Sequence, residues 1–459
     1  MLFAAALAFS RMVGAGEGDP RLAAVERLEE AQALHVGTLA YVYGFPMVDM
    51  TQNMYRDTAT EAPVNALYRP RNLVTPDTAG TLRAPNSDTL YLRGWFDLRE
   101  GPVVVRAPDT GGRYYTLAIT DFLSEVQHVG RRTTGTQAID FVLLGPDFAG
   151  EVPEGLYPVR VPTHQAWLLG RVLVSGQDDL EAARVVLDGF EVVRLAEWQR
   201  GVPITVRTWA PSARDDWQPT LSTEFFEVLN RWLRSNPRRP GEEALLAQFD
   251  AVGFGPAGEF HLAEASPAVR RGLERAVTEG RALLADTARR PLSDVRNGWI
   301  FPTALGRYGY DYLMRATVAF SGYANLPEET IYAALTADAL GRPLTGQRDY
   351  LLRFSPGARR PAAAFWSLSA YRLKDFALMP NAAGRYSIGD HVPGFKATQD
   401  GAFVIRISRE PSQDPAENWL PVGEGPYSLV MRLYEPDVSV LDGRYAPPTL
   451  EVANDSAGR

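Results

Sequence analysis

The run APNSDTLY (84–91) sets an amide, a carboxyl and a phenol, Asn86, Asp88 and Tyr91, directly before a stretch that reads as a strand. Asn, Asp and Ser bond nearby backbone and hold turns, which is one reading of the run. The sharper reading is a substrate-facing rim, with Asn86 and Asp88 orienting a ligand beside Tyr91 in a cavity between β domains.

The densest ionisable cluster is TDFLSEVQHVGRRTTG (120–135). Asp121, Glu125 and His128 would share one face of a helix, and Arg131 and Arg132 add two fixed cations. Such a set could bind a carboxylated substrate and move a proton through His128, the side chain titrating nearest neutral pH. The alternative is a loop in which the arginines pair with Asp121 and Glu125. On an extended backbone adjacent side chains point to opposite sides, so Arg131 is expected in the cleft and Arg132 in the scaffold.

Two further clusters lie towards the C-terminus. Residues 297–329 carry Asn297, Tyr308, Tyr310, Asp311, Tyr312, Arg315, Tyr323 and Asn325 in otherwise apolar text. Asp311 and Arg315 stand four apart, where a local helical ion pair is the default; Tyr beside Arg also suits proton abstraction from an acidic substrate. In FWSLSAY (365–371), alternation puts Phe365, Ser367, Ser369 and Tyr371 on one strand face and Trp366, Leu368 and Ala370 on the other. The Trp face is expected in the core and the Ser/Tyr face in a cleft, joined by Asn381, Tyr386 and Asp390-His391. His35 reads as a core histidine, whereas His164 and His261 carry little signal.

The composition narrows the chemistry. The 459 residues exceed one ordinary core, so two or three domains are expected. A net charge of −8 argues against general nucleic-acid binding. No cysteine is present, which removes thiol nucleophiles, thiolate metal sites and disulfides, and only Lys374 and Lys396 remain for Schiff-base chemistry. Phosphate-loop, nucleophile-elbow and His-Glu-x-x-His patterns are missing. With five scattered histidines, neither a metal centre nor another cofactor is expected.

The elements that must hold these residues alternate in type. Residues 1–18 contain an apolar run that is either the remnant of an export signal or a frayed terminus; it is too short to span a bilayer. Asp19-Pro20 opens a helix with Val25, Leu28, Val36, Leu39 and Tyr43 on one face, stopped at Gly44-Phe45-Pro46. Short β runs separated by Gly and Pro fill Thr81–Val174 and predict an antiparallel sandwich. A helical segment (177–296) follows, then a second β unit (297–459) expected to close as a jelly roll.

The ordered series YVYGFP, APNSDTLY, GRYYTLAITD, GRRTTG and LLGR resembles the bacterial family DUF1254. The later series NGW, YGYDYLMRA, ANLPEE, AFWSLSAY, RYSIGD, NWLP and RLYEP resembles its usual companion, DUF1214. This resemblance implies an immunoglobulin-like β domain, a helical insertion and a jelly-roll domain, often exported, and supplies no established catalytic residues.

The resulting expectation is a mainly β, α+β protein, with an N-terminal unit (19–176), helical middle and C-terminal unit. It is read as a cofactor-independent enzyme, lyase before hydrolase, acting on a polar oxygen-rich small molecule or saccharide between the β domains. Tyr371 or His128 is the base, Arg131 and Arg315 hold an acidic group, and Asn86, Asp88, Tyr91, Tyr308, Asp311, Tyr386 and His391 line the site. The alternative is a noncatalytic glycan- or partner-binding envelope protein. A periplasmic or secreted location is expected, with the cytoplasm as alternative, and a homo-oligomer is left open.

Overall fold

The computed structural model describes residues 20–79, 84–201, 208, 210, 216–290, 294–356 and 361–453. The proposed export remnant (1–18) and Asp19 lie outside these residues. Two compact units emerge, and they do not follow the order of the chain.

The first unit is helical: the described residues up to Gln52 join Asp216–Ala285. Its first helix belongs to Pro20–Thr60, which continues through Pro46 instead of stopping there. Its buried stripe is Ala33, Leu34, Gly37, Ala40, Tyr41 and Gly44, while Val25, Leu28, His35 and Leu39 are exposed. Both departures from expectation have one cause. A Cβ at Gly37 would sit 2.8 Å from Ala276, and one at Gly44 would sit 2.6 Å from Leu229. These glycines are close-packing positions, which hydropathy overlooks and breaker rules misread. His35 is not a core residue; its Nδ1 bonds the Ala31 carbonyl at 2.8 Å. The helices Glu224–Ser235, Glu243–Val252 and Pro267–Ala288 match the segments expected, and the Ser266 hydroxyl accepts from Val269 N–H as an N-terminal cap.

The second unit, from the described residues of 53–215 and 286–459, is built on sheets. Strands β1 (Thr89–Asp97), β2 (Val103–Ala107), β3 (Tyr115–Asp121), β4 (Val126–Gly130), β5 (Ile139–Leu144), β6 (Leu156–Arg160), β7 (Gln165–Leu173) and β8 (Glu191–Arg194) form the N-terminal sandwich. Its sheets run β1-β7-β3-β4 and β6-β5-β2-β8. Leu92, Phe96, Leu117 and Leu168 of one meet Val103, Val105, Phe141 and Leu143 of the other. Residues 191–194 were expected to be helical, but Val-Val at its centre suits a strand, and β8 pairs with β2.

The C-terminal sandwich comprises β9 (Asp294–Arg296), β10 (Trp299–Phe301), β11 (Thr330–Leu335), β12 (Tyr350–Phe354), β13 (Ala362–Arg372), β14 (Ile388–Gly389), β15 (Phe403–Ser408), β16 (Asn418–Pro421), β17 (Tyr427–Pro436) and β18 (Glu451–Val452). Sheet β14-β13-β17-β11-β10-β9 packs on sheet β16-β15-β12-β18 through Trp366, Leu368, Met431 and Leu433 against Leu352, Ile405 and Ile407. Each sandwich contains one parallel pair, β5 with β6 and β15 with β16, a departure from purely antiparallel pairing. The fold class is α+β with mostly β domains. Among the described residues no helix is long and apolar enough to cross a membrane.

Candidate functional site

Strand alternation gives the inner sheet of each sandwich a second face. From β1 and β7 that face presents Tyr91, Leu169 and Arg171; from β13 and β17 it presents Ser367, Ser369, Tyr371, Arg432 and Tyr434. The two faces meet. Tyr91 and Leu169 pack with Tyr371 and Leu378, Tyr114 packs with Phe365 and Tyr434, and Ala118 and Val126 pack with Leu326. This seam is a buried sheet-on-sheet contact whose lining is unusually polar.

APNSDTLY closes a local turn and also enters the seam. Asn86 Oδ1 accepts from the N–H groups of Asp88 and Thr89 at 3.1 and 3.0 Å and from Thr89 Oγ1 at 2.9 Å. Its Nδ2 donates across the seam to Tyr434 Oη at 2.9 Å, and its backbone N–H donates to Tyr91 Oη at 3.0 Å. Asp88, 2% exposed, accepts from Ser367 Oγ at 2.6 Å and faces His391 Nε2 at 3.3 Å. Burial opposes ionisation of Asp88, but His391, Ser367 and Ser387 outweigh it and hold the carboxyl below its ordinary range. Burial likewise opposes charge on His391, and Asp88 overcomes it and raises the imidazole pKa. The ring also meets the Trp366 backbone, which further favours its charged form, and its other nitrogen, Nδ1, is buried.

Beside this pair lie two arginines that the sequence reading passed over as site residues. Arg171 is 8% exposed and Arg432 1%; among the described residues neither forms an ion pair. Arg171 Nη1 donates to Asn325 Oδ1 at 3.3 Å. Arg432 Nη2 donates to Ala84 O at 2.7 Å and to Tyr371 Oη. Their guanidiniums stand 5.7 Å from the ring centres of Tyr91 and Tyr332 respectively, within cation–π range. A buried charge without an opposite charge is costly, so such a pair calls for explanation. The backbone nearby is also strained: Ala84 and Glu435 have φ of +43° and +53°, a region that costs non-glycine residues energy and clusters at functional sites.

His128 belongs to β4, on a hairpin and not a helix. Its Nε2 accepts from Leu326 N–H at 3.3 Å and its Nδ1 lies 3.1 Å from Thr116 Oγ1. Burial, reinforced by Arg132, Arg171 and Arg307, pushes its pKa well down. With both nitrogens engaged, neutral His128 fastens the sandwiches together and has no lone pair for a substrate. Arg131 and Arg132 occupy a short helical turn, Arg131–Thr134, and pair with neither Asp121 nor Glu125. Arg131 binds Glu435, and Arg132 Nε donates to Glu329 Oε2 at 2.8 Å, so both tie the N-terminal to the C-terminal sandwich. The side chain of Glu329 is 1% exposed against 11% for Glu435, and it also accepts from Tyr114 Oη at 2.8 Å. Arg132→Gln should therefore destabilise by about 1–2 kcal/mol and Arg131→Gln by less, as read by urea unfolding.

The remaining site candidates divide. Tyr371 donates to Pro85 O at 2.6 Å, and burial pushes its phenol up to about 12, which removes it as a base near neutral pH. Tyr386 packs against the Tyr91–Tyr371 cluster. Asp311 caps the helix Tyr312–Ser321 by accepting from Met314 N–H at 3.0 Å, a structural duty. Fully buried Arg315 stacks over Tyr312 at 5.0 Å and acts electrostatically on Asp121; Tyr308 N–H donates to Glu125. These residues serve the β3–β4 hairpin. Burial raises the Asp121 carboxyl to about 7, although Leu123 and Glu125 N–H groups bond it. A raised carboxyl loses stability as pH climbs from the unfolded value of 3.8 to about 7. Asp121→Asn, which keeps the accepting oxygen, should gain on the order of 1 kcal/mol at pH 8 and little at pH 4, measured by thermal unfolding.

Residues 64–194 match the model for "Protein of unknown function (DUF1254)" and residues 329–438 the model for "Protein of unknown function (DUF1214)". The chain belongs to this two-domain family. No curated protein matches it. Among solved structures it is similar to the VPA0106 protein from Vibrio parahaemolyticus, with 25% identity and a TM-score of 0.70 over 92% of this chain and 100% of that one. A putative uncharacterized protein from Burkholderia cenocepacia aligns over 94% of each chain with 11% identity and a TM-score of 0.42.

The two matched domains each supply half of the seam. Asn86, Asp88, Tyr91 and Arg171 come from the first, and Tyr332, Ser367, Tyr371, His391, Arg432 and Tyr434 from the second. The signal that would have found both arginines is a guanidinium inside an apolar strand, as in LLGRVLV and LVMRLYEP. Nothing but a ligand, a partner or a stacked ring suits a charge there.

Proposed function

We propose that the seam is the active site of an enzyme that moves protons on a polar, oxygen-rich small molecule or saccharide, with elimination as its reaction. The observation that carries this reading is the buried Asp88–His391 pair, in which Nε2 faces the carboxylate at 3.3 Å beside two buried arginines. In this reading the neutral ring keeps its proton on Nε2, the nitrogen facing Asp88, and the Nδ1 lone pair serves as the base.

In the elimination, Nδ1 takes the proton from the carbon next to an acidic group. The C–H electron pair becomes the new double bond, the C–O bond to the leaving oxygen breaks, and that oxygen takes the proton back from Nδ1. Tyr371, rather than acting as base, helps position Arg432. No step needs a metal, so turnover is expected to persist in EDTA, and loss that a single added metal restores would contradict this route. Hydrolysis at the same dyad, with Nδ1 activating a water, is the competing reaction. Binding without turnover is the reading from another class, favoured by the many hydrogen-bond donors facing the seam.

Purified protein offered polygalacturonate, alginate and p-nitrophenyl esters separates the three. Growth of the ultraviolet absorbance of an unsaturated sugar supports elimination, and p-nitrophenol release alone supports hydrolysis. Calorimetric binding of the saccharides with neither product would replace the enzyme by a binding protein.

A further inference from the structure

Resting on the seam as the substrate site, we infer that Arg171 and Arg432, with the phenols of Tyr91, Tyr332 and Tyr434, form the seat for a carboxylate of the substrate. The five groups face one another through the pairing of the strands and the packing of the two inner sheets. Tyr91 stands opposite Arg171 on β1 and β7, and Tyr332 stands opposite Arg432 on β11 and β17. Asn86 bonds both Tyr91 and Tyr434, and Asn325 bonds both Arg171 and Tyr332.

The chemistry of this set is one-sided. Each of the three phenol oxygens accepts from an amide: Tyr91 from Asn86 N–H, Tyr434 from Asn86 Nδ2 and Tyr332 from Asn325 Nδ2 at 2.6 Å. Their own O–H protons have no acceptor among the described residues. Arg171 Nε and Arg432 Nη1 are buried donors without partners as well. Burial pushes the Tyr91 and Tyr434 phenols up, so both remain protonated donors at neutral pH. The carboxyl that influences Arg432, Asp88, accepts from Ser367 through Oδ2 and faces His391 through Oδ1 at 3.3 Å. Two permanent cations and three hydroxyl donors outnumber the unpartnered acceptor nearest in influence, Asp88 Oδ1, and match an acceptor-only anion. The forked donors of arginine fit the two oxygens of a carboxylate. A carboxylate held there also acidifies the adjacent C–H, the proton that elimination removes.

The test is calorimetric binding of D-glucuronate, D-glucose and inorganic phosphate to the full chain and to Tyr332→Phe, Tyr434→Phe and Arg171→Gln. The two phenylalanine variants remove only a hydroxyl; each leaves one asparagine amide unpaired and should melt a few degrees below the parent while staying folded. Glucuronate is expected to bind at least about tenfold more tightly than glucose. Each lost hydroxyl should weaken glucuronate about tenfold and glucose much less, with the largest loss in Arg171→Gln. Equal affinity for glucose and glucuronate, tighter binding of phosphate than of glucuronate, or unchanged glucuronate affinity in the phenylalanine variants would overturn the inference. Should Arg171→Gln fail to fold, the phenylalanine variants decide. Glucuronate binding as expected without any elimination sinks the enzyme reading alone. His391-dependent turnover that Tyr332→Phe and Tyr434→Phe leave untouched sinks the carboxylate seat alone.

Discussion

Asp88→Ala should lose about 3–5 kcal/mol of stability at pH 5.5, the effect of removing one partner from a buried ion pair. The substitution takes from the buried His391 imidazole its main counter-charge and strips Ser367 Oγ of its acceptor, while Asn86 keeps its own bonds to Thr89 and Tyr434. The pH dependence identifies the cause. Asp88 has a lowered folded pKa, so its contribution is present above the ordinary value of 3.8 and is lost as pH falls through the folded value. His391 has a raised folded pKa, so its contribution is present below 6.5 and is lost as pH rises through the folded value. The gap between parent and variant in urea unfolding should therefore be widest between about pH 4 and pH 6.5 and should narrow on either side. A gap independent of pH would mean that Asp88 matters for packing alone.

His391→Gln should lower turnover of the elimination substrate by about 10²–10⁴-fold, the usual worth of a positioned base, while leaving glucuronate affinity within about threefold. Glutamine retains a donor towards Asp88 and so separates proton transfer from scaffolding. In the parent the rate should rise with pH through the raised His391 pKa, because only the neutral ring offers Nδ1 as a base. Asp88→Asn should move that limb to lower pH. A parent profile with no such limb, or turnover in His391→Gln within about tenfold of the parent, would remove His391 from the chemistry.

The parts of this fold that could be read from the chain are those in which one local rule acts alone. FWSLSAY alternated as expected, with Trp366, Leu368 and Ala370 in the sandwich core and Ser367, Ser369 and Tyr371 on the other face. Asn86 and Asp88 stand out in the sequence through their density, and besides holding their turn they bond across the seam to Tyr434 and Ser367. What escaped depends on pairing between distant segments. Arg131 finds Glu435 304 residues away and Arg132 finds Glu329 197 residues away, whereas local spacing points to Asp121 and Glu125 as partners. His128 looked catalytic because an imidazole near two arginines is suggestive; only the approach of Leu326 N–H shows its second nitrogen to be occupied. In the helical unit, Gly37 and Gly44 reversed both the stop and the buried face, because close approach of helices is a property of the neighbour and not of the glycine.

The central claim is that Asp88 holds His391 in the tautomer that frees Nδ1, and ¹⁵N NMR of the imidazole tests it most directly. The chain has five histidines, so the resonance is assigned by its loss in His391→Gln. The expected result is a titration midpoint above 6.5 that falls in Asp88→Asn, with the neutral ring protonated at Nε2 and bare at Nδ1. A midpoint at or below 6.5 that Asp88→Asn does not move, or a neutral ring protonated at Nδ1, would contradict it.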